Sequence, residues 1–422
     1  MNEKLLQYIW KVQYFNRNTL FTTSGEKIQI IYPGTFNRNQ GPDFTDARIK
    51  IGNTILAGSV ELHIRTSHWD LHGHQSDPNY NNVILHVVFE DDSKRASAIP
   101  ILELQPLIST LMIERYRKLE QTDTFIACSG FIHQIREITW ISWKDRLIAE
   151  RLTRRTEKVF LLLEQNSHHW EEIFWWMLAG NFGIKVNAEA FEALARTLPV
   201  RLLSRHKNQI HQLEALLFGQ AGLLENDFEE EYPKLLQREY RFFQKKYQLV
   251  PIAHPIHFLR MRPGNFPSIR LAQLAMLIHV SAHLFSKILE IKDLPELIQT
   301  LKVTANDYWH YHYLPDRLTT YKKKTLGDDM INSLIINSFA PILFAYGLYH
   351  KEEKYKQKAM QWLEQIHAEQ NTVLKQFADL SIKCKSAYDS QALLELKTQY
   401  CDQKLCLKCA VGNEYLKANE AM

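Results

Sequence analysis

The chain has 422 residues, 45% hydrophobic and 23% charged, a composition that excludes a disordered or fibrous protein. That length exceeds what one hydrophobic core usually supports, so two or three domains are expected. The 51 basic and 47 acidic residues leave a net charge of +4, which permits nucleic acid as a partner without requiring it.

The first element, around LLQYIW, predicts a short helix packed on a sheet. Glu3, Lys4, Gln7 and Lys11 interrupt its apolar run, so it does not read as a secretory leader. Short strands follow at Lys27–Tyr32, Ala47–Ile51, Thr54–Ile64, Asn82–Phe89 and Ile101–Leu104, rich in β-branched residues and punctuated by Gly34, Gly52-Asn53 and Asp77-Pro78-Asn79. After Pro106 the period changes from two to 3.6. Helices are expected at 109–119, 140–163, 169–179, 188–197, 207–219, 230–247, 268–290, 293–302, 326–349, 351–380 and 390–400.

The expected architecture is therefore α+β. A small mixed N-terminal sheet domain (1–106) precedes a large, mostly helical region, divided into a helical domain at 107–250 and another at 251–422 that carries a cysteine cluster. Met330–Tyr349 is long enough to span a membrane, but Asn332, Asn337 and Pro341 interrupt it. A buried, Pro-kinked helix is the expectation, with no membrane partner and a cytoplasmic location.

Five of the 18 histidines, His63, His68, His72, His74 and His86, fall within one short stretch of the sheet domain. Residues two apart on a strand share a face, so Glu61 and His63 project together, while Val60, Leu62 and Ile64 enter the core. A hairpin between Pro42-Asp43 and the Glu61 strand brings two carboxylates onto one cation. Oxygen ligands suit Mg²⁺ or Mn²⁺, and imidazoles shift the preference toward Mn²⁺ or Zn²⁺. His72 and His74, either side of Gly73 and on one face if extended, are candidate further ligands. His68 and His86 read as satisfied structural imidazoles, and Asp46 and Asp70 as capping or surface acids. Arg65 shares the face of Glu61 and His63. It could bind a phosphate or form an ion pair at a solvated strand end.

Two other clusters stand out. Cys401, Cys406 and Cys409 form a Cys-x4-Cys-x2-Cys tail that could hold zinc or an iron–sulfur cluster if Cys128 or Cys384 supplies a fourth thiolate. Arg260, Arg262 and Arg270 crowd the start of a helix for which Ser268 is a candidate N-cap. They could meet a nucleic-acid backbone there or satisfy backbone carbonyls. Lys322, Lys323 and Lys324 read as a solvated run, and G219-Q-A-G-L-L as a packing turn.

Pro42-Asp43 and Glu61-Leu62-His63 resemble the Pro-Asp…(Asp/Glu)-x-Lys signature of a nuclease fold, with His63 in place of the lysine. That resemblance implies a restriction-endonuclease-like sheet. Some nucleases of this fold bind a cluster through one early and three late cysteines, an arrangement similar to Cys128 with the C-terminal trio. The segments G41-P-D-F-T-D-A, G58-S-V-E-L-H, S67-H-W-D-L-H-G-H, F218-G-Q-A-G-L-L and R262-P-G-N-F-P-S-I-R together resemble the bacterial DUF2851 family of uncharacterised proteins, found largely in Bacteroidetes. This resemblance implies kinship and no particular reaction.

The leading expectation is a metal-dependent phosphodiesterase or nuclease with Asp43, Glu61 and His63 as catalytic and metal-binding residues. A non-catalytic nucleic-acid- or protein-binding scaffold and a zinc hydrolase of another substrate are the alternatives. A zinc hydrolase requires three convergent ligands and an open position.

Overall fold

The computed structural model describes residues 1–93, 97–166, 169–259, 261–281 and 283–418. They pack as two units. The first comprises Met1–Trp143, Asp379–Ser381 and Glu395–Met422; the second comprises Lys144–Ala378 and Ile382–Leu394. The fold is α+β, a curled mixed sheet followed by a mostly helical region.

Helix α1 (Glu3–Val12) opens the first unit. Asn2 caps it by accepting the Leu5 N–H at 2.9 Å, and Gln13 ends it in the left-handed conformation. Its apolar stripe, Leu5, Leu6, Tyr8, Ile9 and Trp10, is buried and packs on the sheet. The strands are β1 (Ile28–Tyr32), β2 (Thr35–Phe36), β3 (Phe44–Ile51), β4 (Thr54–Arg65), β5 (Val83–Glu90) and β6 (Ile101–Glu103). They lie in the order β1-β3-β4-β5-β6, with β2 also on β3.

β3 runs antiparallel to β4, pairing Phe44 with Val60 and Ala47 with Gly58. Between those pairs a bulge puts Asp46 at φ 60° and bends the strand beside the Asp43 end. β4 and β5 are parallel, pairing Glu61 with His86 and His63 with Val88. A Cβ at Gly58 would lie 2.5 Å from the Asn82 carbonyl oxygen, so this crossing tolerates only glycine. A parallel pair needs a long crossover. Here it contains α2 (His68–Leu71) and 3₁₀ turns at His74–Ser76 and Pro78–Tyr80.

The remaining helices are α3 (Thr110–Gln121), α4 (Glu137–Gln165), α5 (Trp170–Phe182), α6 (Ile184–Thr197), α7 (Val200–His206), α8 (Ile210–Gln220), α9 (Glu231–Tyr247), α10 (Pro267–Val280), α11 (Leu284–Glu290) and α12 (Leu294–Leu301). They continue with α13 (Asp328–Leu334), α14 (Ala340–Tyr349), α15 (Glu353–Gln365), α16 (Thr372–Asp379), α17 (Ala387–Glu395) and α18 (Ala410–Lys417).

Several helical expectations need correction. The span 268–290 is two helices, because Ser281 is extended. The span 351–380 is also two, because Ile366 is extended and His367 bridges to Ser386. Asn371 then accepts the Leu374 N–H at 2.9 Å and restarts the helix. Ser268 is not the N-cap of α10; Phe266 holds that position and the Ser268 hydroxyl donates to the Tyr313 carbonyl.

The apolar segment Asp328–Tyr349 is long and apolar enough to cross a membrane, but 72% of its most apolar window is buried within the protein. A wide π turn at Ile335–Phe339 precedes Pro341, and the Asn337 carbonyl that the proline cannot meet accepts from Asn181 Nδ2 at 3.3 Å.

Candidate metal centre

The site lies where α1, the end of β3, β4, β5 and the β4–β5 crossover meet. Strand alternation turns Glu61 and His63 to one side of β4, and both are buried, at 6% and 2% exposure. His86 projects from β5 with equal burial and places Nε2 2.9 Å from His63 Nδ1. His63 Nε2 is thereby turned toward His72 Nδ1 at 3.1 Å and Glu61 Oε1 at 3.5 Å.

The crossover is not extended, as the pairing of His72 with His74 had assumed. His72 ends α2, Gly73 takes φ 71°, and His74 begins the next turn. That left-handed step lets both rings face His63. His74 Nε2 is buried, makes no hydrogen bond, and lies 3.5 Å from Glu61 Oε1. Its ring stacks on Tyr80 with centroids 3.8 Å apart, and Trp69 walls the group from beside His74 and His86. His63, His72 and His74 can each offer a ring nitrogen within 4.8 Å of the other two.

The two acids meet across the hairpin. The Asp43 N–H donates to Glu61 Oε2 at 2.9 Å, and Asp43 Oδ2 accepts from the Leu62 N–H at 3.2 Å. Asp43 Oδ1 accepts from Gln7 Nε2 on α1 at 2.7 Å. Both Asp43 oxygens thus face donors, whereas Glu61 keeps Oε1 toward the imidazoles.

Burial is the largest cause of the shifts at Glu61, Asp43, His63, His86 and His74. It raises Glu61 to about 8, reinforced by the nearby Asp43 charge and partly offset by the Asp43 N–H. Burial raises Asp43 to about 6. It lowers His63 to about 2 and His86 to about 4, with neighbouring imidazoles adding to the effect, and it lowers His74 as well. At neutral pH those three rings are uncharged, the form that binds metal.

The remaining candidate residues have other surroundings. His68 Nδ1 is 4.0 Å from Glu3 on α1. Arg65 forms an ion pair with Glu90 at 3.3 Å on an exposed strand end. Arg270 is buried, donating to Gln273 at 2.9 Å and to Asn265 at 2.6 Å, and burial lowers it to about 10. It is therefore not presented to a solvent-borne phosphate. Arg262 is exposed, and Arg260 lies outside the described residues. Arg65 belongs to the first unit, Arg262 and Arg270 to the second. Lys324 is not solvated: it is 4% exposed, with its ammonium 3.8 Å from the Tyr313 ring centroid.

In the first unit Cys128, Cys401, Cys406 and Cys409 line one cavity with Ala127, Tyr400, Leu405 and Gly412. All five cysteines are free, and Cys384 belongs to the second unit, near the Ser386 carbonyl. Burial raises Cys128 and Cys401 strongly, and the charges of the other cavity thiolates raise them further. Gly412 lies inside α18.

The sequence profile of the family described as Protein of unknown function (DUF2851) matches residues 3–372. The chain belongs to the DUF2851 family. No curated protein and no solved structure matches it significantly. The DUF2851 match takes in the whole imidazole centre and Cys128, and ends before Cys401.

Sequence reasoning missed Gln7, Tyr80 and the role of His86. A lone glutamine on an amphipathic helix carries no signal. His86, within the apolar run ILHVV, reads as core until the register sets it beside Glu61.

Proposed function

We propose that this DUF2851 protein is a metal-dependent hydrolase whose cation is held by His63, His72 and His74, with Glu61 beside it. The observation that carries this reading is the approach of three ring nitrogens to within 4.8 Å of one another. Tetrahedral zinc, with Zn–N near 2.0–2.1 Å, sets ligand nitrogens about 3.3 Å apart. The His63–His72 separation of 3.1 Å is already of that size.

His63 binds through Nε2 while its Nδ1 is engaged by His86, the outer partner that commonly fixes a ligand's tautomer and orientation. A cation there supplies Lewis acidity and a water of lowered pKa. Glu61 Oε1, facing His63 and His74, then serves as fourth ligand or as the base that takes the water's proton. His72 is the exposed member and marks the side from which a substrate enters. Five free cysteines suit a reducing compartment, and we place the protein in the cytoplasm.

A phosphodiester substrate is the second reading, favoured by the contact of Asp43 with Glu61 across the hairpin. A cation that recruits both carboxylates would have to draw Asp43 away from Gln7 and Leu62, a change that suits Mn²⁺ or Mg²⁺.

Titration of chelator-treated protein with Zn²⁺ and Mn²⁺, alongside hydrolysis of bis-p-nitrophenyl phosphate and a carboxylic ester, tests both readings. The His72→Ala/His74→Ala variant is expected to lose one equivalent of bound zinc and the metal-dependent hydrolysis. Zinc uptake unchanged in that variant would refute the three-imidazole centre. Loss of Mn²⁺-dependent phosphodiester cleavage in Asp43→Asn, with zinc uptake kept, would select the second reading.

A further inference from the structure

The cysteine cavity is separate from the imidazole centre and calls for chemistry of its own. Its four sulfurs come from two distant stretches of chain. Cys128 precedes the 3₁₀ turn Ser129–Gln134, and Cys401 ends the wide turn Leu396–Cys401. Cys406 opens the turn Cys406–Lys408, and Cys409 is the N-cap residue of α18. Every other residue lining the space between them is Ala, Tyr, Leu or Gly.

We propose that these four cysteines hold a [4Fe–4S] cluster. Four converging thiols in an apolar cavity, none of them in a disulfide, are difficult to explain as packing alone. Their spacing then selects the cofactor. Tetrahedral zinc with Zn–S near 2.3 Å needs sulfurs about 3.8 Å apart. Among the described residues no three of these sulfurs fall within 4.8 Å of one another; the group that meets that spacing is the histidine trio. In a cubane cluster each thiolate binds a different iron, so the sulfurs stand wider apart around a core that fills the space between them.

The surroundings agree with an anionic cluster. The N–H groups of Val411 and Gly412, in the first turn of α18, point to the Cys409 sulfur, as expected for a thiolate at a helix N-terminus. Burial raises all four thiols, and at Cys401 and Cys406 the nearby Lys397 and Lys404 offset part of that rise. The close approach that builds the cavity depends on Gly412, where an added Cβ would lie 2.3 Å from the Cys406 carbonyl oxygen. A cluster in this position ties the loop at Cys128 to the C-terminal segment within the first unit.

The test is anaerobic purification of the full chain, followed by iron, acid-labile sulfide and zinc analysis, visible absorption, and electron paramagnetic resonance after dithionite reduction. About four iron and four sulfide per chain are expected, with a broad absorption that bleaches on reduction. Cys128→Ser, Cys401→Ser, Cys406→Ser and Cys409→Ser should each lose most of the iron. Cys384→Ser should keep it. Stoichiometric zinc without sulfide, or a wild-type chain that takes up no cluster on reconstitution with iron and sulfide, would overturn the proposal. The reconstitution is done on wild type, so a misfolded variant cannot mask the outcome. The result is independent of the histidine centre, which His72→Ala/His74→Ala tests separately.

Discussion

Replacing Glu61 with glutamine tests the electrostatics of the imidazole centre without emptying its space. In chelated wild-type protein the Glu61 carboxyl sits at about 8 rather than at its ordinary 4.5, because of burial and then Asp43. At about 1.4 kcal/mol per pH unit, this difference corresponds to about 5 kcal/mol. Relaxation and water entry around the charged group recover part of that, leaving about 2–3 kcal/mol.

The sign follows from the raised folded value. The unfolded chain releases this proton near 4.5 and the folded chain near 8, so folding retains it. The stability contributed by the neutral carboxyl is complete below about 4.5 and is lost as pH rises through about 8. Glu61→Gln lacks that loss, and its amide can still accept the Asp43 N–H and face His63 and His74. Urea unfolding followed by tryptophan fluorescence, in chelator at pH 5 and pH 8.5, should show wild type falling by about 2–3 kcal/mol relative to the variant. Added Zn²⁺ should stabilise wild type more than the variant at pH 8.5. Parallel pH profiles for the two proteins would refute the assignment of Glu61 as a buried carboxyl without a compensating cation.

Three further outcomes are expected. His86→Leu should weaken zinc binding about 10–100-fold by calorimetry, since it removes the hydrogen bond that orients His63; unchanged affinity would make His86 a mere core residue. Arg270→Met should lower stability by about 1–3 kcal/mol, by denaturant titration, through unpaired Gln273 and Asn265. Gly219→Ala should cost about 1–3 kcal/mol or more, measured the same way, because a Cβ there would lie 2.0 Å from the Tyr240 ring.

Five of the strands were legible because each alternates or runs apolar between turn residues, and the Asp43–Glu61 hairpin followed from them; the two-residue β2 was not expected. The helical body was legible from its period, but its breaks were not. Ile366 and His367 look helical by composition and are held extended by the pairing of His367 with Ser386, distant in sequence. The same limit applied at the site. Gln7 reaches Asp43 only once α1 has packed, and the convergence of His72 and His74 on His63 depends on the left-handed Gly73 rather than on a shared strand face. Lys324 reads as solvated by its neighbours, yet a tertiary contact with Tyr313 buries it. Separation in sequence hid the Gln7 contact and the break at Ile366–His367, whereas the Gly73 turn is local.

The parallel alignment of β4 and β5 has one more implication. Two neighbours running the same way cannot be joined by a tight reversal, so the fold demands a long connection between them whatever its composition. Here that obligatory connection delivers His72 and His74, while the strand delivers His63. Two of the three converging imidazoles are therefore encoded in one contiguous stretch outside the strands. Descendants could retune or abolish the centre by rewriting residues 66–82 while keeping the sheet that the rest of the unit is built upon.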